Sequence, residues 1–181
     1  MVRAFAFYDK IPSMHILAEI HRADGVNIHG KTVQRTAVRA VIQRERKLLM
    51  VHSSAMGDYK FPGGGVDAGE THEQALRREV REECGAELSR IGEEIGAVVE
   101  YDNDTETDFD TFKMTSHYYR CEVAEGFGAQ KLVGYEKDLG FTPVWISIEA
   151  ALQQNKMFLD SENAPEWLKR EIFVLEYLRN N

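Results

Sequence analysis

Residues 63–86 read GGGVDAGETHEQALRREVREECGA, and three glutamates, Glu79, Glu82 and Glu83, crowd one short segment of that run. The segment is predicted to be a helix. Thr71 and Gln74 fit a capping box, in which the threonine oxygen and the glutamine side chain satisfy free backbone N–H groups. Leu76, Val80 and Cys84 follow at i, i+4 and i+8, and Gly85 supplies a stop. Like charges at helical spacing repel by roughly 0.2–0.5 kcal/mol per pair, so the glutamate cluster works against the bare helix. On a helical wheel the three carboxylates fall within about 100° of arc, with the apolar stripe about 100° away. One side of the helix can then face a core while the adjacent side presents carboxylates. Oxygen ligands at that density suit a hard divalent cation, Mg2+ or Mn2+. From spacing alone, an ordinary solvated acidic face stands beside that reading.

The rest of the chain narrows the setting. Its 181 residues are enough for one domain with a substantial core, and the 43% apolar and 29% charged fractions are those of a globular protein. No apolar run approaches a membrane span of about 18 residues. The start, MVRAFAFYDKIPSMH, lacks the pattern of a secretory signal. Cys84 and Cys121 match no metal or redox spacing and are expected to be buried free thiols in a reducing compartment, which points to the cytoplasm. A net charge of −8 argues against a nucleic-acid polymer or an anionic membrane as partner. A small phosphorylated ligand stays compatible, because bound cations reverse the local sign.

Element by element, residues 1–31 read as an N-terminal extension, one or two strands packing on the domain or on a second subunit, ahead of a domain at 32–181. TAVRAVIQ from Thr36 and KLLMVHSS make a strand, turn and strand. KFPGGGVDAGE is a loop. Two longer strands are predicted over Ile91 to Tyr101 and Lys113 to Val123, joined by the acidic stretch DNDTETDFDT as an exposed hairpin loop. That stretch lacks the glycine and terminal glutamate of an EF-hand. A strand then leads into a helix near Ser147, and Pro165 opens a last helix with Leu168, Ile172, Leu175 and Leu178 at core spacing. The order is α+β, with a mostly antiparallel or mixed sheet.

From Gly64 the chain reads glycine, five residues, Glu70, seven residues, then REVREECGA, which resembles the Nudix box, GX5EX7REUXEEXGU with U aliphatic. The fixed positions are Gly64, Glu70, Arg78, Glu79, Glu82, Glu83 and Gly85, with Val80 aliphatic and Ala86 smaller than usual. Seven fixed positions, each about one in fifteen by usage, coincide on the order of once in 10⁸ starts, so accident is set aside. KFPGGG just upstream is also similar to the family's approach to the box.

The resemblance implies an α/β/α sandwich that hydrolyses the pyrophosphate of a nucleoside diphosphate linked to another group, with Mg2+ or Mn2+. It implies metal ligation by Glu82 and Glu83, with Glu79 a third ligand or the general base. Arg78 would orient Glu79, Glu70 would support the cluster, and the Gly63 carbonyl would offer a further ligand. Glu136, in GYEKDLGFTPVW, stands where a ligand from outside the box is expected, with Asp138 its rival. Arg35 and Arg39 are candidates for binding phosphates and Tyr59 for stacking on a base; a surface or packing role is the plain alternative for each. Tyr101 lies near where the diadenosine-polyphosphate branch carries a tyrosine, and EYDND at 100–104 lacks the proline of the ADP-ribose branch. Nucleoside triphosphates, dinucleoside polyphosphates and nucleotide sugars all fit as substrates. A catalytically silent, nucleotide-binding sensor is the alternative function. Homodimerisation through the N-terminal segment is a hypothesis resting on its length outside the core domain.

Overall fold

The computed structural model describes residues 14–161 and 164–181. The first 13 residues of the expected extension lie outside the described residues. Seven strands form one mixed sheet: β1 (Ile16–His21), β2 (Thr32–Arg44), β3 (Lys47–Ser53), β4 (Tyr59–Lys60), β5 (Leu88–Asn103), β6 (Thr111–Val123) and β7 (Phe141–Ser147). Their order is β1-β5-β6-β2-β3-β4, with β7 paired to β3. The pairs β1–β5 and β2–β6 are parallel and the others antiparallel. Helix α1 (His72–Cys84) lies on one side of the sheet. The short α2 (Tyr135–Asp138) precedes β7, and α3 (Ile148–Phe158) and α4 (Leu168–Asn180) cover the other side.

Two cores follow from the alternation of β2, whose Val38, Ala40 and Ile42 face α1 while Val41 faces α3 and α4. The predicted stripe of α1 is buried to the last residue: Leu76 and Val80 are fully enclosed, and Cys84 is 1% exposed. Both box-helix caps form. Thr71 Oγ1 accepts from the Gln74 N–H, Gln74 reciprocates, and Gly85 closes the helix at φ 64°. Leu168, Ile172 and Leu175 of α4 are buried as their spacing requires, and both cysteines are buried and free.

The structure moves several predicted boundaries. The long hairpin runs over Leu88–Asn103 and Thr111–Val123, because antiparallel pairing carries through its polar ends, to Asn103↔Thr111. The last helix begins at Leu168, not Pro165; a turn closed by Leu168 N–H to Pro165 O comes first. β4 and α2 are too short to show periodicity. The N-terminal strand β1 adds to the sheet edge beside β5.

The glycine-rich loop does not hang free. Val38 N–H donates to Gly64 O, Ala40 N–H to Pro62 O and Val66 N–H to Thr36 O, so residues 62–66 lie along β2 as a further short partner. Close approach makes the glycine at 63 necessary. Its φ is 138°, and a Cβ there would fall on the Val38 carbonyl.

Candidate active site

That loop, the inner flank of α1 and α2 converge on one place. Glu79, Glu83 and Glu136 each offer a carboxylate oxygen there, and the three oxygens lie within 4.8 Å of one another. All three residues are buried. Gly64 is fitted against Glu79 so closely that a Cβ at 64 would fall on its carboxylate. Glu83 accepts from the Gly63 N–H at 2.8 Å and from the Lys60 ammonium. Glu136 is tied to its own loop by the Val133 N–H at 2.9 Å.

The cluster shows the electrostatic cost of its assembly. Burial pushes the Glu79 carboxyl above its ordinary pKa, and Glu83 beside it adds to the push against the pull of Arg78 and Lys60. Burial likewise raises Glu136, with Glu83 and Glu82 contributing. Arg78 gathers the surrounding acids: it donates to Glu70 at 3.0 and 2.8 Å, to Glu79 at 2.6 Å and to the Gly65 carbonyl at 2.9 Å. In return Arg78 holds the Glu70 carboxyl below its ordinary range.

Glu82, the third glutamate of the sequence pattern, is half-buried beside Arg78 at 3.5 Å and stands outside the tight trio. Glu136 takes that place, and its rival Asp138 is exposed. Three convergent carboxylates, of which Glu79 and Glu83 are also paired with Arg78 and Lys60, form an oxygen donor set that fits a hard divalent ion. Glu79, Glu83 and Glu136 would hold it, with Glu82 at the rim.

Beside the trio lies a cavity of about 220 Å3 whose walls include Arg35, Arg39, Lys60, Gly64, Trp167 and Arg170. Arg35, Ala37 and Arg39 share one face of β2, so the two arginines point to the same side with only a methyl between them. Arg39 is 7% exposed. One of its nitrogens donates to the Gly63 carbonyl, while its buried Nε–H has no partner. A buried guanidinium N–H without an acceptor is costly, and here it belongs to a residue that lines the cavity beside the carboxylates. The Gly63 carbonyl therefore has a lone pair engaged by Arg39.

Tyr59 does not line the cavity. Its ring packs on His52 at 4.9 Å, because β3 pairs Val51 with Lys60 and His52 with Tyr59 and so turns Lys60, not Tyr59, toward Glu83. Tyr101 stands away as well, against His21. The sequence reading missed Lys60, Trp167 and Arg170. KFPGGG carried a signal for the lysine, since a charge directly before a buried loop needs a partner. Trp167 is fixed by donating Nε1–H to Asp58 at 2.7 Å. Arg170 is fully buried between Glu100 and Glu171, and Glu171 also accepts the Phe61 N–H.

The NUDIX domain family matches residues 33–168. A nucleoside triphosphatase NudI of Enterobacter sp. (strain 638) is 42% identical over 60 residues, 30% of this chain and 43% of that protein. A CTP pyrophosphohydrolase of Escherichia coli (strain K12) is 39% identical over 64 residues, 33% of this chain and 47% of that protein. The chain thus spans less than half the length of these curated relatives. Among solved structures, the E. coli ORF135 protein aligns with TM-score 0.50 and 25% identity over 82% of this chain and 94% of that one. A NUDIX hydrolase from Nitrosomonas europaea aligns with TM-score 0.54 and 20% identity over 82% and 90%, a likeness of fold.

Proposed function

Because the chain belongs to the NUDIX family, we propose that it is a divalent-metal-dependent hydrolase of the pyrophosphate linkage in a nucleoside diphosphate joined to a further group. The observation that supports this most is the meeting of Glu79, Glu83 and Glu136 beside a cavity lined by Arg35 and by Arg39, whose buried Nε–H has no partner. When bound, Mg2+ or Mn2+ supplies neutralisation of the diphosphate charge and a lower pKa for the attacking water. The protein's own groups do the rest. Arg35 and Arg39 take anionic oxygens of the substrate, and Arg39 at the same time steadies the Gly63 carbonyl. Arg78 and Glu70 hold Glu79 in place. Glu79 accepts a proton from the water as its oxygen attacks phosphorus and the anhydride P–O bond breaks.

Residues 32–181 are assigned to the hydrolase domain, with 1–31 an extension through which two copies pair; a monomeric mass by light scattering would count against that pairing. No helix among the described residues is long and apolar enough to cross a membrane. The free buried thiols suit a reducing compartment, and we place the protein in the cytoplasm.

The test is product analysis with Mg2+ or Mn2+ over a panel of nucleoside triphosphates, dinucleoside polyphosphates and nucleotide sugars. The names of the two curated relatives put CTP and other triphosphates first. Glu83→Gln and Glu136→Gln should each lose most of the turnover on the best substrate, and Glu82→Gln, at the rim, less. Wild-type turnover in the first two variants on every accepted compound sinks the assignment of the metal site.

A further inference from the structure

On the face of β6 that carries His117 and Tyr119, a separate set of side chains meets the first residue of α1. His72 Nδ1 lies 2.7 Å from Tyr119 Oη, Tyr119 Oη lies 3.0 Å from Glu94 Oε2, and His117 Nδ1 lies 2.8 Å from Glu94 Oε1. The two imidazole rings are 4.6 Å apart, centre to centre, at 51°. Glu94 is aimed at this spot by irregularities in the β5–β6 register on both of its sides, which set it opposite Tyr119.

The network fixes the tautomers. An ionised carboxylate only accepts, so Glu94 takes the His117 Nδ1–H and the single Tyr119 proton. With that proton spent, the short contact to His72 is satisfied only if His72 Nδ1–H donates to the tyrosine oxygen. Both rings therefore carry a proton on Nδ1, and in its neutral form each leaves a lone pair on Nε2. Neither Nε2 has a hydrogen-bond partner among the described residues, and neither is sealed from solvent. Two imidazoles whose far N–H groups are held by a carboxylate, directly and through a tyrosine, match the way protein metal sites orient histidine ligands.

We propose that His72 and His117 bind a borderline divalent transition ion, Zn2+, Cu2+ or Ni2+, through their Nε2 atoms at a site separate from the carboxylate cluster. Imidazole nitrogen selects this class over Mg2+, which prefers oxygen. At a metal–nitrogen distance of about 2.0–2.1 Å, two ligand nitrogens on a tetrahedral ion sit about 3.3 Å apart, a separation within the span of two rings centred 4.6 Å apart. A groove of about 390 Å3, lined by Gln34, Thr36, Val66 and Glu70 among others, opens beside His72. Water completes the coordination, and the ion ties the first turn of the box helix to β6.

The experiment is calorimetric titration of the untagged protein with Zn2+ in excess Mg2+, together with electron paramagnetic resonance of the protein at one equivalent of Cu2+. We expect one Zn2+ per chain and a Cu2+ spectrum with splitting from two nitrogens. His72→Gln and His117→Gln should each abolish both signals in protein whose circular dichroism is unchanged. Glu94→Gln should weaken Zn2+ roughly 10- to 100-fold. Glu83→Gln should leave Zn2+ binding as it is, which separates this site from the carboxylate trio. Zn2+ binding that survives both histidine substitutions, or that disappears with Glu83→Gln alone, overturns the proposal, as does the absence of Zn2+ binding to the wild type.

Discussion

Replacing Lys60 with methionine tests the electrostatics of the site directly. Lys60 is 5% exposed and Glu83 1%, so their contact is a buried ion pair. Removing one partner of such a pair leaves a buried charge uncompensated and costs about 3–5 kcal/mol. Two details place the value within that range. The Gly63 N–H still donates to Glu83 Oε2 at 2.8 Å, which holds the cost down. The lysine ammonium also sits 4.8 Å from the centre of the buried Phe141 ring, a desolvated contact worth up to about 2 kcal/mol that methionine gives up. The expected cost is about 4 kcal/mol, or a melting temperature lower by about 8–16 °C for a chain of this length. Without the ammonium the trio carries one more uncompensated negative charge, so it should bind Mg2+ more tightly. A tenfold gain in affinity narrows the gap to wild type by about 1.4 kcal/mol at saturating Mg2+. Urea denaturation with and without Mg2+ reads both quantities. Lys60→Met with Glu83→Gln should recover most of the loss, because both charges leave together. A cost below about 1 kcal/mol, or a gap that Mg2+ leaves unchanged, refutes the reasoning.

Two further outcomes follow from single positions. Gly64→Ala puts a methyl on the Glu79 carboxylate, the mobile end of a side chain, so the fold should tolerate it within about 1 kcal/mol. Displacement of that carboxylate should nonetheless lower kcat/KM about 100-fold, and a variant with wild-type kinetics would dissociate Glu79 from the chemistry. Glu100 is fully buried; burial pushes its carboxyl up, but Arg170 and Arg22 outweigh that and hold it below the ordinary range. A depressed native pKa contributes stability that is present above the unfolded value of about 4.3 and lost as pH falls through the native one. Glu100→Gln should therefore cost about 3 kcal/mol at neutral pH, the low end because Arg170 keeps Glu171, and should flatten the loss of stability in acid. Parallel acid-unfolding curves for variant and wild type would count against this account.

What the sequence determined by itself is local. The period of Leu76, Val80 and Cys84, the Thr71–Gln74 capping box, the glycines at 63 and 64 and the spacing of Arg78, Glu79 and Glu83 are relations within a couple of dozen residues. A helix and a tight loop turn such spacings directly into positions in space. Glu136 was legible only through the resemblance, since no local periodicity connects it to Glu83, 53 positions earlier. The tertiary structure decided the rest, because it depends on register. Tyr59 and Lys60 are adjacent, and an isolated strand does not say which of the two faces the site. The pairing of β4 with β3 does, and a slip of one residue would have exchanged them. It likewise brought Glu136 to Glu79 and Glu83, buried Arg39 with an unspent donor, and brought His72, Glu94 and His117 together from three elements with no common spacing.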